Sequence, residues 1–218
     1  PGWLHSKGQL KEEHQVSYSV GKVGRYLLHV RLRQQALAVT GSPFALNVTP
    51  GPGHASSTRL EIKEALCGVV GDQDQDGVRL LVQVADQMGN LCTAGGADVV
   101  TTCTTDAVDS SCVDQGDGTY LLQWRSKISG VYEAKVTVSN VPVIDSPCQF
   151  KLTSSSPELP KSEIEGEGLK HAVAGEKARV RILFYDMYGN LASPTDSSFK
   201  VKMAITHERK KIQDLKEH

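Results

Sequence analysis

The stretch that decides the fold begins with Asp114-Gln115-Gly116-Asp117-Gly118-Thr119-Tyr120 and ends with Ser146-Pro147-Cys148-Gln149-Phe150-Lys151-Leu152. Gly116 and Gly118 give backbone freedom where the chain must reverse, and β-forming residues follow at once. Between the two segments, positions 136 and 138 are apolar, whereas positions 135, 137 and 139 are polar. This period of two is typical of a strand with one buried face. The stretch therefore predicts three strands, or half of a β-sandwich.

Two signatures recur along the chain at nearly the same interval. Gly24-Arg25-Tyr26 and Ser42-Pro43-Phe44 match Gly130-Val131-Tyr132 and Ser146-Pro147-Cys148, and the two Ser-Pro pairs lie 104 residues apart. Asp86-Gln87-Met88-Gly89-Asn90-Leu91 recurs 100 residues later as Asp186-Met187-Tyr188-Gly189-Asn190-Leu191. An interval of this length indicates a whole small domain of immunoglobulin-like size rather than a solenoid unit.

These motifs resemble those of filamin-type repeats. The resemblance is carried by Gly116-Asp117-Gly118-Thr119-Tyr120, Ser129-Gly130-Val131-Tyr132, Gly41-Ser42-Pro43-Phe44 and the hinge-like Gly51-Pro52-Gly53-His54-Ala55-Ser56. It covers most of the chain and implies an all-β fold of tandem immunoglobulin-like β-sandwiches of the filamin-repeat type. The Asp-x-x-Gly-Asn-Leu segment is closer to the repeats of large modular proteins than to those of vertebrate actin crosslinkers.

The predicted order of domains is the C-terminal half of one repeat, a complete repeat and the N-terminal half of a further repeat. Residues 1–50 hold the C-terminal half of one repeat, residues 51–153 a complete repeat, residues 154–160 a linker, and residues 161–218 the N-terminal half of a further repeat. Further strands are predicted over 58–62, 78–84, 97–105, 178–185 and 199–205, with a turn over 86–90 in which Gly89 or Asn90 takes a positive φ. Tyr120, Trp124 and Tyr132 are predicted to be core or corner residues.

A half-sandwich exposes its apolar face and is not stable alone. Two explanations follow. Either the chain is a piece of a longer tandem array, or its two halves complement each other, within one chain or between two chains as a dimer by strand exchange.

The charge and the cysteine content restrict the predicted partners and the predicted cellular compartment. With 24 Lys plus Arg against 25 Asp plus Glu, neither nucleic acid nor anionic lipid is a predicted partner. No run of 18 apolar residues exists, so no membrane insertion is predicted. The five cysteines are Cys67, Cys92, Cys103, Cys112 and Cys148. Their odd number and the lack of a C-x-x-C pair favour reduced thiols and a cytoplasmic or cytoskeletal setting. The alternative is extracellular, with a bridge such as Cys103 to Cys112 and a glycosylation sequon at Asn47.

Patterns for catalysis or metal binding are weak. Asp72-Gln73-Asp74-Gln75-Asp76-Gly77 has the opening of an EF-hand calcium loop, but Gln83 at the twelfth position cannot supply the bidentate carboxylate. We therefore predict a solvated acidic loop. No H-E-x-x-H or G-x-S-x-G pattern is present. The chain is predicted to be no enzyme and to use no cofactor or metal.

The resemblance implies a structural and protein-interaction module, a spacer or scaffold that docks partner proteins through exposed sheet edges. In filamin-type repeats, partner peptides add a strand to an edge that corresponds here to residues 97–105. One face of that segment carries Val99, Thr101, Cys103 and Thr105, and the other carries Val100, Thr102 and Thr104. The sequence does not choose between the faces, and an edge capped by the next repeat is the other interpretation.

Two further classes stay open. One is a positioning or regulatory region of a larger enzyme or motor, such as a ubiquitin ligase, a tripartite-motif protein or an axonemal dynein chain. The other is an extracellular or gamete adhesion array, supported by the sequon at Asn47 and by a bridge among the cysteines. Actin binding is not implied, because in filamins it resides chiefly in a separate helical domain.

Overall fold

The structure is a computed structural model that describes residues 15–32 and 38–193, together with Lys202 and Ile205. It divides into two compact units, Pro1–Thr153 and Ser154–His218. The regular structure of the described residues is β-strand with three short 3-10 turns, so the all-β prediction is confirmed. The strand predicted over 199–205 lies almost wholly outside the described residues.

Twelve strands are formed by the part of the chain that the structure describes. They are β1 (Gly24–Leu28), β2 (Phe44–Val48), β3 (Leu66–Val69), β4 (Val78–Gln83), β5 (Val99–Cys103), β6 (Asp109–Asp114), β7 (Thr119–Arg125), β8 (Gly130–Val138), β9 (Val141–Pro142), β10 (Cys148–Thr153), β11 (Glu163–Glu165) and β12 (Arg181–Leu183).

Strands β3 to β10 form two sheets around one core. The first sheet has the order β3-β10-β8-β5, with β9 also paired to β8, and the second has the order β4-β7-β6. Strands β3 and β10 run parallel, whereas the other pairs in these sheets are antiparallel. Alternate residues of β4, β7 and β10 are buried, as the period of two predicts. The exposed residues of β10 are all polar, whereas those of β4 include Leu81.

Trp124 is the centre of this core. Its side chain is fully buried and stacks on Phe150, with ring centroids 5.2 Å apart. Its indole Nε1 donates to Thr101 Oγ1 at 2.9 Å, which joins β7 to β5 in the opposite sheet. Tyr120 is also buried, and Tyr132 donates its hydroxyl to the Ile128 carbonyl at 2.7 Å as a corner residue. The core or corner placement predicted for the three aromatics is confirmed.

The strand predicted over 58–62 is wrong. That segment makes one isolated parallel bridge, in which Leu60 N–H donates to the Ile144 carbonyl and Ile144 N–H donates to the Thr58 carbonyl. The first strand of the repeat is β3 instead. Gly68 interrupts its apolar pattern because a Cβ there would lie 2.0 Å from the Gly77 carbonyl oxygen, so only glycine allows this approach.

The hairpin of β1 and β2 repeats the contacts of β8 and β10. Tyr26 donates its hydroxyl to the Lys22 carbonyl at 2.9 Å, as Tyr132 does to Ile128. Val30 N–H donates to Ser42 Oγ at 2.9 Å, and Val136 N–H donates to Ser146 Oγ at 2.8 Å. The recurring sequence signature therefore corresponds to the same two side-chain hydrogen bonds in both pairs of strands.

The unit Ser154–His218 contains the pair β11 and β12, joined antiparallel. The strand predicted over 178–185 is shorter than expected: Arg181–Leu183 forms the strand, and Tyr185 makes an isolated bridge to Leu191. A 3-10 turn at Leu159–Lys161 precedes β11, as the turn at Ala55–Ser57 precedes residues 58–62 in the first unit.

Candidate interaction sites

Strand β5 lies at the edge of its sheet. Within residues 15–32 and 38–193 it pairs with β8 on one side and with no strand on the other. Ser139 N–H donates to the Asp98 carbonyl at 2.8 Å, and Thr104 N–H donates to the Glu133 carbonyl at 3.4 Å. Hydrogen-bonded and non-bonded pairs alternate in an antiparallel ladder. These two bonds therefore determine which residues of β5 direct their main-chain N–H and carbonyl groups toward β8.

The main chain of Val99, Thr101 and Cys103 points away from β8. These residues stand opposite Val138, Val136 and Ala134 in non-bonded pairs, so their amide groups face the open edge. Val99 N–H donates locally to the Ala97 carbonyl at 3.0 Å. The N–H groups of Thr101 and Cys103, with the carbonyls of all three residues, therefore form the row that an added strand would use.

The side chains of the predicted edge residues face the core side. Val99 and Thr101 are buried, and Cys103 is half-buried, with its Sγ accepting from Ser110 Oγ at 3.4 Å. Thr105 lies beyond the end of β5, where its Oγ1 accepts from Ala107 N–H at 3.2 Å. The opposite face is solvent-exposed and carries Val100. The structure thus shows that Val99, Thr101 and Cys103 lie on the inward face of β5.

All five cysteines are free thiols. Burial raises the pKa of the Cys103, Cys112 and Cys148 thiols, so the neutral form dominates at physiological pH. Neutral buried thiols are poor nucleophiles and behave as small apolar side chains. The cysteines near β5 and β6 therefore serve packing.

The acidic loop before β4 has internal partners for its carboxylates. Lys127 Nζ lies 2.9 Å from Asp72 Oδ2, and this contact is the first cause that holds the pKa of Asp72 below its usual value. Asp76 Oδ2 accepts from Gln73 N–H at 2.8 Å. In the described ranges, no group of three or more His, Cys, Asp and Glu side chains could hold a metal ion.

The turn over residues 86–90 is a second candidate site, and the sequence predicted only its shape. Gly89 has the expected positive φ of 77°. The buried Asp86 carboxylate accepts from the N–H groups of Met88 and Asn90 at 2.9 and 2.8 Å, and from Asn90 Nδ2 at 2.9 Å. Its Oδ2 also accepts from Gly51 N–H at 2.9 Å. The turn is therefore tied to the segment that enters the repeat.

Asn90 extends from this turn to the preceding hairpin. Its Nδ2 donates to the Gly21 carbonyl at 3.0 Å, and its Oδ1 accepts from Val23 N–H at 3.2 Å. The Asn90 bond to Val23 spans 67 residues of sequence. No local pattern predicts such a contact, although the recurrence of the same Asp and Asn at 186 and 190 was a signal that the pair has a role.

The second unit contains the same turn. The buried Asp186 carboxylate accepts from the N–H groups of Tyr188 and Asn190, and from Asn190 Nδ2 at 2.9 Å. Its Oδ2 accepts from Ser155 N–H at 3.0 Å, as Asp86 does from Gly51. The entering segment and the turn are thus joined in the same way in both units.

No protein-family model matches this chain, and no curated protein is significantly similar to it. Solved structures do match. The Escherichia coli adhesin FdeC aligns with a TM-score of 0.52 and 13% identity, over 71% of this chain and 48% of that one. Invasin, a bacterial integrin-binding protein, aligns with a TM-score of 0.51 and 18% identity, over 71% of this chain and 32% of that one. The filamin domain of Lin-41 also matches, with a TM-score of 0.40 and 16% identity, over 47% of this chain and 97% of that one.

The matches to FdeC and invasin, each with a TM-score above 0.5, show the fold, and the predicted all-β fold class is confirmed. The chain spans 48% of the FdeC structure and 32% of the invasin structure, so it corresponds to part of each. No helix in the described residues has the length and apolar character needed to cross a membrane.

Proposed function

We propose that the chain is a non-catalytic spacer and protein-interaction module, and that partner proteins add an extended segment to the open edge of β5. The observation that carries this proposal is the row of outward main-chain groups at Val99, Thr101 and Cys103. An added strand gains most of its affinity from main-chain hydrogen bonds, and its selectivity comes from the side chains beside it. Here those side chains are the inward ones, with the half-buried Cys103 at the rim.

A peptide library tests this proposal. Displayed random peptides of about ten residues, long enough to span an average strand, are selected on the full chain. We expect the selected peptides to slow amide exchange at Thr101 and Cys103. Cys103→Arg should abolish binding because it places a charge at the rim of the edge. Val131→Arg, at an exposed position of a strand with neighbours on both sides, is the matched control and should bind normally. Peptides that protect other amides, or that bind Cys103→Arg normally, would contradict the proposal.

The hairpin of β1 and β2 supports a second proposal, that the strands of another repeat cover its inward face. Val30 is 38% exposed and Phe44 is 43% exposed, whereas their counterparts Val136 and Cys148 are 0% and 5% exposed. Because apolar burial contributes about 25 cal/mol per Å², this face favours a cover. The front strands at 163–183 of a second copy have the complementary position in a repeat. Sedimentation equilibrium tests this proposal by measuring the mass of the protein in solution. Twice the chain mass supports strand exchange between copies, and a monomer at micromolar concentration contradicts it.

The setting is part of the proposal. Five free thiols favour a cytoplasmic or cytoskeletal protein, whereas an extracellular adhesion array is the alternative. Asn47 is exposed on β2, so an extracellular protein would be able to carry a glycan there. The intact mass of the protein purified from its own cells distinguishes these settings.

A further inference from the structure

We propose that the turn over residues 86–90 is a recognition site for the backbone of a neighbouring repeat, in which Asn90 binds a turn of that repeat and Asp86 sets the direction of the Asn90 amide. The turn that occupies the site is Gly21 to Val23, which leads into β1. The inference stands on contacts other than those at β5 and is independent of the proposed strand addition.

The chemistry of the two side chains determines what the site can bind. An ionised carboxylate only accepts hydrogen bonds, so the Asn90 Nδ2 group must face Asp86, to which it lies 2.9 and 3.1 Å from the two oxygens. One N–H of Nδ2 and the Oδ1 atom then remain for a partner. This pair is complementary to a carbonyl followed two residues later by an N–H, which Gly21 and Val23 supply.

Asp86 is suited to this role because it stays charged. The Asn90 amide first, and then Gly51 N–H, lower the pKa of Asp86 from 3.8 to about 2. Asp86 and Asn90 are also 5% and 8% exposed, so water competes little for their bonds. A neutral amide at position 86 would present both a donor and an acceptor, and the Asn90 amide would then be free to take either direction.

The site has little selectivity for the amino-acid sequence of the segment that it binds. Both bonds go to main-chain atoms, and Met88 lies over Gly21, where a Cβ would stand 3.6 Å from its Sδ atom. That distance is an ordinary van der Waals contact, so glycine is not required in the bound turn. The kind of partner that fits is therefore a backbone bend of a preceding repeat, such as the one at Gly21 to Val23.

One carboxylate thus joins two attachment points. Asp86 Oδ2 holds Gly51 of the entering segment directly, and through Asn90 it holds the Gly21 to Val23 turn. Two separated attachments restrict rotation of the hairpin about the segment that joins it to the next repeat. We infer that the 86–90 turn fixes the orientation of successive repeats in this part of the chain.

Amide exchange in the full chain, measured by NMR, tests this inference. Asn90→Ala should speed exchange of the Val23 amide by about tenfold or more, because its only acceptor in the described residues is lost. The Cys92 amide, which donates to the Val84 carbonyl at 2.9 Å, should remain protected and reports that the repeat is folded. Asn190→Ala is the matched control, since it removes the same bonds to Asp186 and leaves residues 21–23 and 86–90 intact.

A second variant tests the role of Asp86. Asp86→Asn should speed exchange at both Val23 and Gly51 while Cys92 remains protected. Unchanged exchange at Val23 in Asn90→Ala, or an equal change in Asn190→Ala, would overturn the inference. The inference would also be overturned if the Cys92 amide lost as much protection as the Val23 amide in both Asp86→Asn and Asn90→Ala. Asp86 and Asn90 would then stabilise the repeat that contains them rather than its contact with the preceding hairpin.

Discussion

Replacing Gly118 with alanine should destabilise the two-sheet core of β3 to β10 far more than replacing Gly116 with alanine. Both glycines have left-handed φ values, 89° and 81°. A Cβ on Gly116 would meet no atom within 4 Å, whereas a Cβ on Gly118 would lie 2.1 Å from the Cys92 carbonyl oxygen. The backbone strain is therefore shared by the two variants, and the collision belongs to Gly118→Ala alone.

The magnitude follows from these contacts. An L-residue in the left-handed region costs about 1–2 kcal/mol, which is the whole expected effect of Gly116→Ala. To relieve the collision, Gly118 must move away from Cys92, and we expect its carbonyl to lose the bonds from Val84 N–H and Gln83 Nε2 at 3.0 and 2.9 Å. At about 1 kcal/mol for each bond, Gly118→Ala should cost about 3–4 kcal/mol in total. The effect of alanine on the unfolded chain is the same in both variants and cancels in the comparison.

Urea unfolding followed by Trp124 fluorescence measures the difference. A Trp3→Phe background leaves Trp124 as the single tryptophan. We expect Gly118→Ala to lower the free energy of unfolding by about 2 kcal/mol more than Gly116→Ala. Equal losses for the two variants would refute the reasoning, because they would show that the packing around Gly118 can yield without cost.

Two further predictions concern the carboxylate of the 86–90 turn and the bond between the sheets. Because the pKa of Asp86 is lower in the folded chain than its ordinary value of 3.8, its contribution to stability is complete above about pH 4 and is lost as the pH falls through about 2. Over that window the free energy of unfolding should fall less steeply in Asp86→Asn than in the wild type, and parallel curves would contradict this. Thr101→Val leaves the buried Trp124 N–H without its acceptor and should cost about 1–3 kcal/mol, whereas Thr102→Val on the exposed face should be nearly neutral. Calorimetric unfolding of the two variants compares them, and equal midpoints would show that the indole bond contributes nothing.

The sequence predicts the strands that alternate and the turns that need glycine. Strand β10 carries Cys148, Phe150 and Leu152 on its buried face as expected, and Gly116 and Gly118 both have the predicted freedom in φ. These features are visible because each depends on residues within a few positions of one another. Strand β3 was missed because its glycine meets Gly77, a contact that no local pattern records.

The candidate sites were predictable only in part. The segment of β5 was located correctly as a strand, but its two faces carry similar residues, so alternation alone could not show which one is buried. The bond from the Trp124 indole to Thr101 decides it, and that bond joins opposite sheets. The partners of Asn90 could not be predicted either, because Gly21 and Val23 are contacted through main-chain atoms and leave no mark on side-chain identity.

The most direct test of the proposed docking edge is amide exchange along β5 in the unbound full chain. We predict alternation: the Val100 and Thr102 amides, which face β8, exchange slowly, and the Thr101 and Cys103 amides, which face the open edge, exchange faster by about tenfold or more. Uniformly slow exchange at all four amides would contradict the account, because it would show that another part of the chain already covers this edge.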